Sequence, residues 1–234
     1  MKLALIGYGA MGRLVESLAK DEGHEVSAVI TSRESSLGVE GLAEALRGHD
    51  AAIDFTLAEA VPTNVEACVR AGVPMVEGTT GWKAHEEGVR AAVERGGGAL
   101  IYGANFSVGV NLFYRVVARA AELFAAFDYE PFIEEAHHSR KRDAPSGTAL
   151  RLRELVAAPA EREVPVASTR AGHIPGTHRV GFDGLADQIV LTHTARSREG
   201  FAAGALVAAR WIQGRRGVYE FSETIDEILK SREP

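Results

Sequence analysis

The chain holds one cysteine, Cys68, in 234 residues. It can form no internal disulfide, and it offers no thiolate cluster to a metal. Lysine is scarce too, five residues against twenty-one arginines. Positive charge is not in excess: the net charge is −6, which argues against a nucleic-acid partner. No apolar run approaches about 18 residues, so no membrane span is expected. Met1 runs straight into a strand-like segment with no basic stretch ahead of a long apolar one, so no signal peptide is expected. Repeats and low-complexity segments are absent. What remains is an ordinary balance of 46% apolar and 25% charged residues, expected of a globular cytoplasmic protein.

The first hundred residues alternate short apolar runs with helical patterns. Strands are expected at Lys2–Ile6, Glu25–Ile30, Ala51–Phe55, Pro74–Glu77 and Ala99–Tyr102, with helices at Arg13–Lys20, Glu59–Ala71 and Glu86–Glu94. That alternation predicts an α/β fold, a Rossmann-type doubly wound parallel sheet covered on both faces. Ligands of such sheets bind beyond the carboxyl ends of the strands. The pattern changes after about residue 107. A long helix is expected over Val108–Phe127, a strand over Glu130–His138 and a helix over Pro145–Val156. Strands follow at Val164–Ala171, His178–Phe182 and Gln188–Thr194, the last two joined by the turn pair Asp183-Gly184. This second, smaller α+β domain reads as largely antiparallel. Phe201–Gln213 is helical, and the tail is read as helical as well.

Gly7-x-Gly9-x-x-Gly12 follows a strand and opens a helix, the context of a dinucleotide fingerprint. Gly7 permits the tight turn, Gly9 lets backbone approach a pyrophosphate, and Gly12 permits close packing. Tyr8, Ala10 and Met11 complete the turn. The end of the second strand usually chooses between the nicotinamide cofactors. Here it reads Ile30-Thr31-Ser32-Arg33, with no carboxylate before Glu34. Ser32 and Arg33 suit a phosphate, so the reading leans to NADPH and leaves NADH open.

The segment from His137 to Ala149 concentrates polar chemistry. His137 and His138 are adjacent, so on a strand they face opposite ways and make a poor metal chelate; no metal is expected. Lys141 stands beside them in a chain that otherwise prefers arginine, which suggests a compact ammonium or a proton donor. Pro145 and Ser146 suit a helix start, and Gly147 and Thr148 offer free N–H groups and a hydroxyl. With Lys141, that makes a carboxylate receptor. Arg140 and Arg142 read as solvated charges.

The run Glu135-Ala136-His137-His138-x-x-Lys141-x-Asp143-Ala144-Pro145-Ser146-Gly147-Thr148-Ala149 resembles the signature of the dihydrodipicolinate reductases, the 4-hydroxy-tetrahydrodipicolinate reductases of lysine and diaminopimelate synthesis. The resemblance extends to Asp54-Phe55-Thr56, Gly78-Thr79-Thr80, Ala104-Asn105-Phe106-Ser107, Arg170-x-Gly172-x-Ile174-x-Gly176-x-His178 and His193-x-Ala195-x-Ser197-Arg198. It implies that His137 is a proton donor and acceptor and Lys141 a proton donor. It implies that His138, Gly147 and Thr148 bind the carboxylates of a cyclic dicarboxylate. It places Gly78, Thr79, Thr80, Ala104, Asn105, Phe106 and Ser107 along NADPH or NADH. The expected domains are 1–107 for the dinucleotide, completed by 199–234, and 108–198 for substrate and for assembly into a homotetramer. Two departures stand out: Thr31 replaces the acidic residue many members carry after the second strand, and the chain is shorter than many members. Two other readings compete. A semialdehyde dehydrogenase needs a nucleophilic cysteine, and Cys68 lies in a helix. A dinucleotide-binding redox sensor of transcription needs a basic DNA-binding face, which the charge disfavours.

Overall fold

Short runs of Leu, Ile and Val bounded by polar turns bury best side by side, where every backbone group finds a partner. The computed structural model describes residues 1–32, 36, 38–160 and 162–230. In it the runs become β1 (Lys2–Ile6), β2 (Glu25–Ile30), β3 (Ala51–Asp54), β4 (Met75–Glu77) and β5 (Ala99–Tyr102). A later strand, β10 (Gly217–Glu220), joins them in the order β10-β5-β4-β3-β1-β2, all parallel. The helices between are α1 (Ala10–Asp21), α2 (Gly38–Leu46), α3 (Val61–Ala71) and α4 (Glu86–Gly96). Leu42, Leu46, Val61, Val65, Val89 and Val93 from α2 to α4 meet Ala4, Ile6, Ala52, Met75 and Leu100 of the sheet in one buried cluster. Each fully buried Leu or Val there contributes about 1.5–3 kcal/mol. The opposite side takes α1 and a helix from the end of the chain, α7 (Glu199–Trp211), which pack together.

Three features of this part of the chain differ from the sequence reading. α2 was not expected, because Glu40, Gly41 and Glu44 dilute its apolar face, yet Leu42, Ala43 and Leu46 are fully buried. The tail is not all helix: Gly217–Glu220 adds the sixth strand before α8 (Phe221–Lys230), too short to show a period of two. α1 begins at Ala10, three residues before the expected start, since the Gly9 carbonyl already accepts the Arg13 N–H at 3.2 Å.

By contacts the chain divides into Met1–Val108 with Glu199–Pro234, and Gly109–Arg198. The second unit has β6 (Glu130–His137), β7 (Val166–Arg170), β8 (Thr177–Asp183) and β9 (Gln188–Thr194), in the order β7-β6-β8-β9. β8 runs antiparallel to β6 and β9, as expected, but β7 is parallel to β6. That pairing needs a crossover, and α6 (Gly147–Ala160) supplies it. α5 (Val108–Phe124) and α6 cover one face, with Tyr114, Val117, Leu152 and Val156 against Ile133, Val180 and Phe182. On the other face Glu134, Arg179, Val190 and Thr192 are exposed.

Candidate active site

The first unit builds a cleft where its strand order reverses, between β1 and β3. It has a volume of about 370 Å³ and is lined by Gly9, Ala10, Met11, Phe55, Thr56, Leu57, Ala58, Gly78, Thr79 and Thr80. Gly7 turns the chain with φ +86°, and a Cβ there would lie 2.4 Å from the Phe55 carbonyl oxygen. A Cβ on Gly12 would lie 2.3 Å from the Gly7 carbonyl oxygen, so this glycine keeps the turn closed. Gly9 faces open space. α1 has no side-chain cap and no acidic residue in its first turn. Its free N–H groups and positive end therefore face the cleft unopposed, which fits an anion such as a pyrophosphate.

The expected cofactor residues divide. Gly9, Ala10, Met11, Gly78, Thr79 and Thr80 line the cleft; Gly7 and Gly12 close the turn beside it, and Tyr8 does not line it, its hydroxyl donating to Glu16. Ala104, Asn105, Phe106 and Ser107 follow β5 and do not line it. They form a tight loop, with the Ser107 N–H donated to Asn105 Oδ1 at 2.9 Å. α7 lies so close that a Cβ on Gly204 would overlap the Phe106 carbonyl. Ser32 is exposed after β2, and Arg33 lies outside the described residues. Phe55 to Ala58 were not assigned from sequence as cofactor residues. The position of Phe55 explains Gly78, whose Cβ would strike the ring at 2.1 Å. Cys68 is buried in α3, and burial pushes its thiol well up. It is no nucleophile, which removes the semialdehyde dehydrogenase reading.

The second unit gathers its polar side chains on the covered face of the sheet. Strand alternation turns Glu135 and His137 of β6 inward. His178 of β8 stands directly across from Glu135. All three are buried. His137 Nδ1–H donates to Glu135 Oε2, which leaves Nε2 as the free ring nitrogen. Gly176 passes beside that atom, and a Cβ there would sit 3.1 Å from Nε2. Arg170 holds Glu135 Oε1 at 2.7 Å and the Asp143 carbonyl at 2.5 Å, tying β6 to the loop that carries Lys141. Lys141 Nζ reaches Asp143 Oδ1 at 2.9 Å and is one-quarter exposed. Ser146 caps α6, its Oγ accepting the Ala149 N–H at 3.2 Å and lying 3.1 Å from His178 Nε2. The N–H groups of Gly147 and Thr148 have no acceptor inside the helix, and the Thr148 hydroxyl hydrogen-bonds to Tyr114.

The structure thus brings His137, Lys141 and the Gly147–Thr148 helix start to one short stretch of the second unit. His138 lies just past β6, half-buried, with Nδ1 unpartnered. Arg140 and Arg142 are exposed. Sequence reasoning missed Glu135, Arg170 and His178 as site residues. The signal was present in the two-residue spacing of Glu135 and His137, which puts both on one face of a strand. Glu135, His137 and His178 put ligand-type atoms within 4.8 Å of one another, yet Glu135 is already committed to Arg170 and His137.

Burial acts to raise the Glu135 carboxyl, but hydrogen bonds from Arg170, Ser168 and His137 outweigh it and hold the pKa at about 2. Burial lowers His137, with Glu135 opposing. Burial, then the neighbouring His137, takes His178 from 6.5 to about 4. That depressed value sets a sign. Between pH 6.5 and 4 the unfolded chain binds the proton and the folded chain does not. Stability is therefore complete above about pH 6.5 and falls by about 3 kcal/mol as pH drops toward 4. His178→Asn is expected to flatten the fall in Tm across that window. Equal Tm losses in variant and parent would rule the assignment out.

The chain is similar to known proteins along nearly its whole length. The family model described as "Dihydrodipicolinate reductase, N-terminus" matches residues 1–106. The model "Dihydrodipicolinate reductase, C-terminus" matches residues 109–225. A curated protein of Christiangramia forsetii named 4-hydroxy-tetrahydrodipicolinate reductase is 33% identical over 99% of this chain and 100% of its own length. One of the same name from Stenotrophomonas maltophilia is 40% identical over 91% of this chain and 93% of its own length. Among solved structures, dipicolinate-bound dihydrodipicolinate reductase from Paenisporosarcina sp. TG-14 superposes with a TM-score of 0.76 at 21% identity, covering 94% of this chain and 97% of that one.

Proposed function

The chain belongs to the dihydrodipicolinate reductase family, and from that premise we infer that it reduces 4-hydroxy-tetrahydrodipicolinate with a nicotinamide dinucleotide in lysine biosynthesis. The observation that carries the reading is the buried Glu135–His137 pair beside Lys141 and an anion-ready helix start. The test is an assay with freshly generated substrate, following loss of reduced nicotinamide absorbance with and without a chelator. Purified protein that consumes no cofactor would sink the reading. Full inhibition by the chelator would contradict the expectation that no metal is needed.

Each residue has a task in this chemistry. The bound dinucleotide supplies a hydride. Gly9, Ala10 and Met11 at the start of α1 would hold its pyrophosphate, and Thr56, Thr79 and Thr80 line the cleft that would take it. The N–H groups of Gly147 and Thr148, with His138, take the substrate carboxylates. Loss of water from the ring leaves a conjugated imine. Adding one hydride puts two electrons into that system, and one proton must follow. Lys141 gives the proton and becomes a neutral amine. His137, through its free Nε2, exchanges protons with the site. The Lys141 charge stabilises the negative charge as it develops.

The cofactor preference is proposed as NADPH, on Ser32 and Arg33 and the lack of a carboxylate before Glu34. Arg33→Ala is expected to raise the KM for NADPH about tenfold and leave that for NADH unchanged. An unchanged ratio of the two catalytic efficiencies would remove the preference. Four copies assembling through the exposed face of the β7-β6-β8-β9 sheet complete the proposal. Exposed Val190, 42% accessible, and the alternation of β9 support it. Sedimentation as a monomer would refute it. The described helices include none long and apolar enough to cross a membrane; the cytoplasm is the proposed compartment.

A further inference from the structure

Asp54 and Glu77 end β3 and β4 and stand directly opposite each other across that parallel pair. Both are completely buried. Two ionised carboxylates could not persist there without a cation. Among the described residues no lysine, arginine or histidine pairs with either. The donors present are neutral. Asn64 Nδ2 donates to Asp54 Oδ2 at 2.7 Å, and the Thr79 N–H donates to Glu77 Oε1 at 2.6 Å. That leaves Asp54 Oδ1 and Glu77 Oε2, both buried and without a hydrogen-bond partner among the described residues. A hydrogen bond between the two facing carboxyls would satisfy both atoms, and such a bond needs a proton on one of them.

We propose that Asp54 and Glu77 share one proton and act as a positioning pair for the dinucleotide cleft, which rests on reading that cleft as the dinucleotide site. The hydrogen bonds run onward into its wall. Thr79 Oγ1 accepts the Thr56 N–H at 2.9 Å, and Asn64 also reaches Thr56 Oγ1 at 3.3 Å. Thr56 and Thr79 both line the cleft. The proton closes a ring through Asn64, Asp54, Glu77, Thr79 and Thr56 that locks the loop after β3 to the loop after β4. Removing it sets two charges against each other beneath the cleft.

The surroundings favour the protonated form. Burial and then the facing Asp54 push Glu77 well above the usual carboxylate range. Burial raises Asp54 as well, with Thr56 and Asn64 opposing. From α3 the pair faces Cys68, a buried neutral thiol. From β1 the register neighbour of Asp54 is Ile6. From β5 the neighbour of Glu77 is Tyr102, whose hydroxyl accepts from Arg90 at 2.7 Å. Since the folded pKa is raised, the contribution is complete below the ordinary carboxylate value and is lost as pH rises through the folded one.

Infrared difference spectra of wild type against Glu77→Gln at pH 7 test the proton itself. A protonated-carboxyl carbonyl band is expected in the wild type and absent from the variant. No such band at pH 7 overturns the proposal. Fluorescence titration with NADPH and NADH tests the positioning. Glu77→Gln, whose amide N–H replaces the proton, is expected to bind within about twofold of wild type. Glu77→Leu gives Thr79 no acceptor and is expected to bind about tenfold more weakly, with kcat at saturating cofactor retained. Unchanged affinity in Glu77→Leu overturns the positioning role. Should that variant not fold, weakening of Glu77→Gln to about tenfold would overturn it instead. Wild type that shows the band but binds neither dinucleotide would overturn the reading of the cleft and not the shared proton.

Discussion

Lys141→Ala is expected to lower kcat by about 10²–10⁴-fold, the usual weight of a positioned general acid. Its Kd for NAD(P)H is expected to stay within about twofold, because the dinucleotide cleft is built from other residues. The fold should barely notice. The Lys141–Asp143 ion pair has a carboxylate more than half exposed, and pairs of that kind contribute about 0–1 kcal/mol. Lys141→Arg separates two roles. It keeps the positive charge near His137, but a guanidinium does not give up a proton at working pH. If Lys141 only stabilises charge, the arginine variant should recover most of the turnover. If Lys141 is the acid, both variants should be slow. Near-normal turnover in Lys141→Ala would end the assignment.

How far this site was legible from sequence depends on the range of each interaction. The β1 turn was legible because a local pattern, glycines at 7, 9 and 12 between a strand and a helix, carries its own physics. The start of α6 was nearly so. Ser146 caps it from just outside, and the helix begins at Gly147 where the reading had Pro145. β10 was not legible, since four residues between two helices carry no period and only pairing with β5 makes them a strand. The same holds for the side chains around His137. Glu135 shares its strand face, a local fact. His178 and Arg170 arrive through β8 and β7, whose register with β6 is set by packing more than thirty residues away. The Asp54–Glu77 pair is of that kind too. Each residue alone reads as a polar strand end, and only the register of β3 with β4 makes them share a space.

The second large effect is expected at Glu135. Its carboxylate faces two ways, toward Arg170 and toward His137 Nδ1. Its own exposure is zero, and that of the Arg170 side chain is 17%. Replacing the carboxylate leaves a mostly buried guanidinium without its countercharge, a change that costs about 3–5 kcal/mol. Glu135→Gln should therefore lower Tm. It should also lower turnover, because an amide can present N–H to Nδ1 and favour the wrong tautomer. The pH profile distinguishes positioning from mere stability. Glu135 opposes the lowering of His137 by burial, so removing its charge should shift the acid limb of kcat/KM to lower pH. A double variant, Glu135→Gln with Arg170→Gln, removes the stranded cation. It should recover part of the lost stability, because the two changes are coupled, and none of the lost turnover. A single variant with the parent's turnover and pH profile would show that Glu135 serves only to bury Arg170. A double variant that recovers turnover as well would assign the loss to the stranded charge and not to His137.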